Sequence, residues 1–130
     1  MAYNISVGTF TPRERWHWVS AGAYLLRDLG LRSTLFLTGQ FIEKQPALVR
    51  RAVLEGHEIG NHTYSHPHLT SWAENHRHQL LDHVTREWLH DELRRTEEAF
   101  RRATGRRMAP LWRAPFGEEN ALIRGWAMEL

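Results

Sequence analysis

Short apolar segments alternate with amphipathic segments along this chain, and that alternation limits the possible folds more than any other feature. Tyr3, Ile5 and Val7 alternate with polar or small residues as in a strand, and short apolar runs predict further strands at Ser33–Leu37 and His57–Gly60. Between the strands, apolar residues recur at helical spacing. Strands that alternate with helices predict a parallel sheet with right-handed crossovers, so the chain is expected to be an α/β protein.

The predicted helices have recognisable beginnings and ends. One runs from Trp16 to Leu29 and is followed by a glycine, as is common at helix C-termini. A second begins at Pro46, a favoured first-turn residue, and ends at Gly56. The longest extends to Thr104, with Thr85 as its N-cap. The segment Pro110–Gly117 is predicted to supply a fourth strand and a turn, and another helix is predicted to begin in residues 120–130.

Size and charge limit the possible functions. With 130 residues the chain is expected to form a single domain, residues 1–130. A net charge of +2, without a continuous run of arginines, argues against a nucleic-acid partner. The absence of cysteine excludes disulfides and thiolate metal sites. No segment is long and apolar enough to span a membrane, and no signal peptide is visible, which leaves the localisation open.

Histidines are concentrated in Gly56–Thr70, directly after a predicted strand. His62 and His66 are four residues apart, and one helical turn would place both imidazoles on the same side. Two neutral imidazoles suit zinc or another borderline divalent ion. The alternative is a pair of ordinary polar residues on a solvated helix. We expect His57 to support the strand, and His68 to be an exposed loop residue rather than a third ligand.

Three separated stretches resemble the polysaccharide deacetylase family (NodB homology, carbohydrate esterase family four). The sequence GHEIGNHTYSH at residues 56–66 is preceded by STLFLTG at residues 33–39 and followed by RAPFG at residues 113–117, in the order and approximate spacing of that family. The resemblance implies an irregular (β/α) barrel, of which this chain would cover roughly the first half to two-thirds. The missing remainder of the domain, or a second copy of the chain, is therefore an expected partner.

The same resemblance implies a metal-dependent hydrolase that removes acetyl groups from an acetylated polysaccharide. His62 and His66 would be two ligands of a catalytic divalent cation, which is expected to be Zn²⁺. Arg113 would orient a carboxylate base, and the backbone N–H of Phe116 would stabilise the oxyanion of the tetrahedral intermediate. Pro115 and Phe116 would form part of the substrate groove.

Trp112 is a further candidate for binding the sugar, through stacking of its ring. A large aromatic residue at this position could equally serve core packing. His76, His78, His83 and His90 share no helical face with His62 and are expected to be surface residues.

The first motif of the family does not match. Where the family has Thr-Phe-Asp-Asp, with one aspartate as base and one as metal ligand, this chain has Thr9–Pro12. Glu14 could substitute for a missing carboxylate, or the aspartates could lie upstream in a longer parent. Neither the general base nor the general acid is identified. The alternatives to a deacetylase are a non-catalytic carbohydrate-binding relative and an amidase acting on a small C–N substrate.

Overall fold

A three-stranded parallel sheet forms the centre of the computed structural model, which describes residues 2–7 and 28–130. The strands are β1 (Ala2–Val7), β2 (Arg32–Leu37) and β3 (Glu58–Asn61), in the order β1-β2-β3. Val7 is paired with Leu37, and Leu37 with Asn61, so all three strands end at the same level. The predicted parallel α/β arrangement is confirmed. Residues that follow the strands therefore meet at one edge of the sheet.

Short and long helices surround the sheet, and their ends follow from local sequence. In chain order the helices of the described residues are α1 (Gly39–Lys44), α2 (Pro46–Leu54), α3 (Trp72–Asn75), α4 (Arg86–Thr104) and α5 (Ala121–Ala127), with a 3₁₀ turn at Pro115–Gly117.

The three helices predicted for this part of the chain are confirmed as α2, α4 and α5. The Thr85 side chain accepts a hydrogen bond from the N–H of Trp88 at the start of α4, and Gly105 ends that helix with a φ of 71°. Pro46 opens α2 as expected. The sequence prediction missed α1, which is only six residues long and begins at a glycine.

The predicted fourth strand is much shorter than expected. Within Pro110–Gly117, only Trp112 forms a β-bridge, which is parallel and joins it to Asn61. Asn61 N–H donates to the Leu111 carbonyl and Arg113 N–H to the Asn61 carbonyl, both at 2.9 Å. Prolines at 110 and 115 enclose the segment, and because proline has no N–H to donate, pairing stops after one step. That step nevertheless fixes Arg113 beside the end of β3.

Helix α4 packs against two apolar clusters. The first cluster lies where the sheet meets α1, α2 and α4, and consists of Leu35, Leu37, Phe41, Ile42, Val49, Ala52, Ile59, Ala99 and Phe100. The second joins α4 to α5 and to the loops near the strand ends, and consists of Leu69, Val84, Leu89, Leu93, Ala114 and Ile123. Each fully buried leucine or isoleucine contributes about 1.5–3 kcal/mol. The second cluster brings the loop after β3 and the 3₁₀ turn onto the same helix.

Several sequence expectations fall on residues outside the described ranges. These are almost the whole predicted helix from Trp16 to Leu29, the residues Thr9–Pro12 of the first motif, and Glu14. Within the part of the chain that is described, no helix is long and apolar enough to cross a membrane.

Candidate active site

The two candidate metal ligands lie on a turn after β3 and not on a helix. The expectation of a helical turn is therefore wrong. His62 N–H donates to the Leu37 carbonyl at 3.1 Å, continuing the sheet, and the chain then turns through positive φ at Thr63 (65°) and His66 (57°). The Asn61 side chain starts the turn by accepting from Thr63 N–H at 3.0 Å. A local side-chain hydrogen bond thus replaces helical pairing and places both histidines at the sheet edge.

The turn nevertheless brings the two imidazoles together. The ring centroids of His62 and His66 are 4.8 Å apart, with the ring planes at 70°. Nδ1 of His62 is 2.8 Å from the Arg113 carbonyl, and since a carbonyl only accepts, Nδ1 carries the proton. Burial lowers the pKa of His62 below its ordinary value, against the opposing effect of that hydrogen bond. His62 is therefore neutral near pH 7, with the lone pair of Nε2 available to a cation.

These donors fit a borderline divalent cation such as zinc. A ligand histidine usually has its other nitrogen fixed by a carbonyl or a carboxylate, as His62 does here. Catalytic zinc sites take three ligands from the protein. Over residues 2–7 and 28–130, no three His, Asp, Glu or Cys side chains are grouped closely enough to hold a metal ion. The described residues contain two candidate ligands of such a site, His62 and His66, whereas Thr11, Pro12 and Glu14 lie outside the described residues.

A buried carboxylate on α4 fixes the histidine turn. Glu92 accepts hydrogen bonds from the backbone N–H groups of Tyr64 at 3.0 Å and Ser65 at 2.9 Å. The Ser65 hydroxyl also donates to it, at 3.1 Å. Glu92 was not predicted from the sequence. The available signal was an acidic residue between Leu89 and Leu93 on the apolar face of α4, where an unpaired charge would be unfavourable.

Tyr64, inside the turn, connects it to α1 and α4. The guanidinium of Arg95 lies 3.8 Å from the centroid of the Tyr64 ring, and the Tyr64 hydroxyl donates to Glu43 at 2.8 Å. Gly39 N–H donates to the Thr63 carbonyl at 3.0 Å, so the turn also accepts from the first residue of α1. A Cβ at Gly39 would overlap the Tyr64 ring, so only glycine permits this close approach.

The segment from Arg113 to Gly117 borders the histidine pair. The Arg113 side chain is exposed while its carbonyl holds His62. Pro115 is buried and opens the 3₁₀ turn. Phe116 has a φ of 58°, and its ring contacts that of His66 edge-on at 4.6 Å. Its N–H makes no hydrogen bond within the described residues. Left-handed backbone at a non-glycine residue costs about 1–3 kcal/mol and is concentrated at functional sites.

Trp112 lies apart from these residues. It is half-buried and packs against the second apolar cluster. Of the predicted site residues, the structure thus brings together His62, His66, Arg113, Pro115 and Phe116, whereas Trp112 has a largely structural environment.

A third histidine in this region, His68, lies beside Phe116. The two rings are stacked, with centroids 4.0 Å apart and planes at 6°. Nδ1 of His68 is 2.8 Å from Glu118, whose side chain is 1% exposed. Glu118 also accepts from the N–H groups of Leu69 and Thr70, at 2.8 and 3.0 Å. His68 is half-exposed, as expected of a loop residue, but its ring is fixed.

Glu118 is ionised despite its burial. Burial alone would raise the pKa of its carboxyl group, but hydrogen bonds from Thr70, His68 and Leu69 together hold that pKa below its ordinary value. Like Glu92, Glu118 was not predicted from the sequence. Its position directly after the RAPFG motif was the available signal.

Two other histidines have structural environments. Nδ1 of His57 accepts from Ser33 N–H at 3.0 Å, which agrees with the predicted support of the strand. The expectation that His90 is a surface residue is wrong, because its ring is buried and Nε2 lies 2.7 Å from the Trp126 carbonyl. Its position on the inward face of α4 explains the difference.

The fold and these residues define an α/β protein with a candidate metal site at the carboxyl edge of a parallel sheet. The family model described as polysaccharide deacetylase matches residues 16–130. The chain belongs to that family. The predicted fold class, the irregular (β/α) barrel of the polysaccharide deacetylase type, is confirmed, with the chain forming part of one barrel.

The chain is similar to proteins that are considerably longer. A peptidoglycan-N-acetylglucosamine deacetylase of Bacillus cereus is 40% identical over 108 residues, which are 80% of this chain and 33% of the relative. The structure of a family 4 carbohydrate esterase from Streptomyces lividans, in complex with acetate, has a TM-score of 0.74 and 28% identity. The match covers 99% of this chain and 57% of the esterase. The chain therefore spans about a third to a little over a half of these proteins.

The fold also occurs in a protein described as lacking activity. A family 4 pseudoenzyme from Bacillus anthracis has a TM-score of 0.76 at 18% identity, over 98% of this chain and 39% of the pseudoenzyme. At that identity the likeness concerns the fold alone, and the fold by itself therefore does not establish catalysis.

Proposed function

We propose that residues 1–130 form one partial domain of a metal-dependent carbohydrate deacetylase, which removes acetyl groups from an acetylated polysaccharide. The observation that carries the proposal is the state of His62, whose Nδ1 is bound to the Arg113 carbonyl, which leaves Nε2 unprotonated, and whose ring centroid is 4.8 Å from that of His66. Relatives described as peptidoglycan-N-acetylglucosamine and chitooligosaccharide deacetylases support the reaction class.

His62 and His66 would hold the cation, and zinc is the ion we propose. When bound there, a divalent cation lowers the pKa of a water molecule and polarises the acetyl carbonyl. The chain itself contributes the orientation of the ligands. The Arg113 carbonyl fixes the His62 ring, and Glu92 fixes the turn that carries His66.

The segment after Trp112 would act on the substrate. The N–H of Phe116 makes no hydrogen bond to any residue that the structure describes and is positioned by left-handed backbone next to His66, which suits stabilisation of the oxyanion that forms on the acetyl oxygen. The exposed guanidinium of Arg113 is accessible to the carboxylate base that the reaction requires. Pro115 and the Phe116 ring would border the sugar.

Zinc content tests this assignment most directly. We expect the chain to bind zinc stoichiometrically in equilibrium dialysis, and His62→Ala and His66→Ala each to lose that zinc while remaining folded. His76→Ala, which removes an exposed histidine elsewhere, is the matched control. Full zinc retention by either ligand variant would contradict the assignment. Acetate release from N-acetylchitotetraose by a parent protein that contains the whole barrel tests the reaction itself.

A non-catalytic carbohydrate-binding relative is the second candidate, favoured by Thr11 and Pro12 where the family has two aspartates. Zinc binding without acetate release from the parent protein would support it. Replacing both positions by aspartate should strengthen zinc binding if they are the equivalents of the family's motif. Turnover of small amides, without release from acetylated oligosaccharides, would instead favour an amidase.

A further inference from the structure

A histidine–carboxylate pair lies beside the proposed metal site and has no role in the function described above. His68 is bound through Nδ1 to Glu118 at 2.8 Å and is stacked on Phe116 at 4.0 Å. Phe116 in turn contacts His66 at 4.6 Å. The pair therefore borders the place where the acetyl group would react.

The hydrogen bond to Glu118 fixes the direction of the His68 ring and the tautomer of its neutral form. The Glu118 carboxylate accepts three hydrogen bonds, and one of these is from Nδ1 of His68, so in the neutral ring the proton is on Nδ1. Nε2 is then a hydrogen-bond acceptor on a side chain that is 49% exposed. A buried carboxylate thus holds an acceptor toward solvent in one orientation.

Neither metal binding nor support of the loop accounts for this arrangement. The described residues contain no group of three ligands, so His68 does not complete the site of His62 and His66. The loop itself is held by hydrogen bonds from the N–H groups of Leu69 and Thr70 to the Glu118 carboxylate, and these bonds do not require a histidine at position 68.

The surface formed by His68 and Phe116 has the properties of a sugar-binding platform. Both side chains are about half-exposed, at 49% and 48%, and their stacked rings form a rigid apolar surface. Sugar rings pair an apolar C–H face with hydroxyl donors at the edge. A flat ring pair with one fixed acceptor complements both parts of such a ligand.

We propose that His68 is a substrate-binding residue, whose Nε2 accepts a hydrogen bond from a hydroxyl of the sugar unit next to the one that bears the reacting acetyl group. This rests on the proposed deacetylase function. The adjacent unit is assigned because Phe116, with its N–H at the acetyl position, lies in contact with both His66 and His68. His68 would consequently favour oligosaccharides over a single sugar.

Calorimetric binding of N-acetylchitotetraose and of N-acetylglucosamine to the zinc-loaded chain tests the proposal. We expect His68→Ala to weaken tetramer binding by about 3- to 10-fold, the value of one neutral hydrogen bond with its ring contact. Monomer binding should change less than twofold, and zinc stoichiometry should be unaltered. His68→Gln, which keeps a polar atom near the position of Nε2, should recover part of the loss. His76→Ala is the control.

Nitrogen-detected NMR of the imidazoles supplies a measurement that a purely structural role would not affect. The Nε2 resonance of His68 should shift when the tetramer is added, and that of His76 should not. The proposal would be overturned if His68→Ala bound the tetramer as tightly as the unmodified chain does. It would also be overturned if the substitution weakened tetramer and monomer binding equally, or if the unmodified chain did not bind the tetramer.

The failure of this proposal can be distinguished from failure of the deacetylase function. If His62→Ala abolishes zinc binding and the parent protein releases acetate, but His68→Ala binds the tetramer normally, only the role of His68 is wrong. If acetate is never released while tetramer binding depends on His68, the sugar contact stands and the catalytic function fails.

Discussion

Removing the Glu92 carboxylate is predicted to weaken the metal site without changing either histidine. Glu92 lies on α4, and its side chain accepts from both the backbone and the side chain of the turn that carries the ligands. In Glu92→Ala the turn loses its main connection to the helix, while the sheet and the first apolar cluster are untouched. The expected result is a turn that samples other conformations and holds His62 and His66 together for less of the time.

The size of the effect follows from the hydrogen bonds that are lost. Three donors, the N–H groups of Tyr64 and Ser65 and the Ser65 hydroxyl, lose a charged acceptor, and each such bond contributes about 1.5–3 kcal/mol. Ser65 is exposed and Tyr64 is half-buried, so water replaces part of the loss. Glu92→Ala should therefore lower the free energy of unfolding by about 2–4 kcal/mol. Glu92→Gln retains an acceptor oxygen and should cost about 1 kcal/mol.

Zinc affinity should change by a comparable amount. Residues that orient metal ligands through hydrogen bonds typically contribute about 10–100-fold to metal affinity. We expect a decrease in this range for Glu92→Ala and a smaller one for Glu92→Gln. Urea denaturation of the metal-free chain measures the stability, and competition with a chelator of known affinity measures zinc binding. Glu97→Gln, on the exposed face of the same helix, is the matched control and should change neither quantity.

A double-mutant cycle isolates the interaction. Ser65→Ala removes only the hydroxyl, so its effect should nearly vanish in the Glu92→Ala background. If Glu92→Ala retains zinc affinity within twofold of the unmodified chain, the carboxylate does not position the ligands. If the two substitutions have additive effects on stability, the hydroxyl and the carboxylate do not interact as the structure shows.

Two further predictions concern close packing and pH. Gly39→Ala should destabilise the chain by about 1–3 kcal/mol, because its Cβ would overlap the Tyr64 ring. Gly125→Ala in α5, where a Cβ meets open space, should instead stabilise the chain by about 0.5–1 kcal/mol. Chemical denaturation of both variants measures the difference in stability. Because the pKa of Glu118 is lowered on folding, its contribution is present above the ordinary carboxyl pKa of 4.5 and is lost as the pH falls through the lower folded value. The melting temperature of Glu118→Gln should accordingly fall less than that of the unmodified chain between pH 6 and pH 3, and equal decreases would show that the carboxylate is not stabilised by folding.

Local patterns were sufficient to predict much of the fold. The alternation of short apolar runs with helical periodicity predicted the parallel sheet, and Thr85 and Gly105 marked the ends of α4 because capping depends on residues close in sequence. The prediction of a full fourth strand failed, since two prolines interrupt pairing with β3. Helix α1 was missed because six residues give too little periodicity to recognise.

The histidine pair was found from its spacing, although the reason given for its geometry was wrong. His62 and His66 were expected to be neighbours on a helix, whereas a turn with two left-handed residues brings the rings together. The motif resemblance correctly identified the family, because it depends on the order of short sequences along the chain. Residue types and their spacing therefore sufficed to predict the family and the two candidate ligands.

Only the tertiary structure shows which groups hold those ligands in place. Glu92 is 27 residues from Ser65, the Arg113 carbonyl is 51 from His62, and Glu118 is 50 from His68. Each of these contacts depends on where α4 and the 3₁₀ turn pack against the sheet edge, which is decided by burial of the second apolar cluster. Sequence carries the identity of donors and acceptors, but their pairing across such separations arises only when the core has formed, because hydrogen bonds act over about 3 Å.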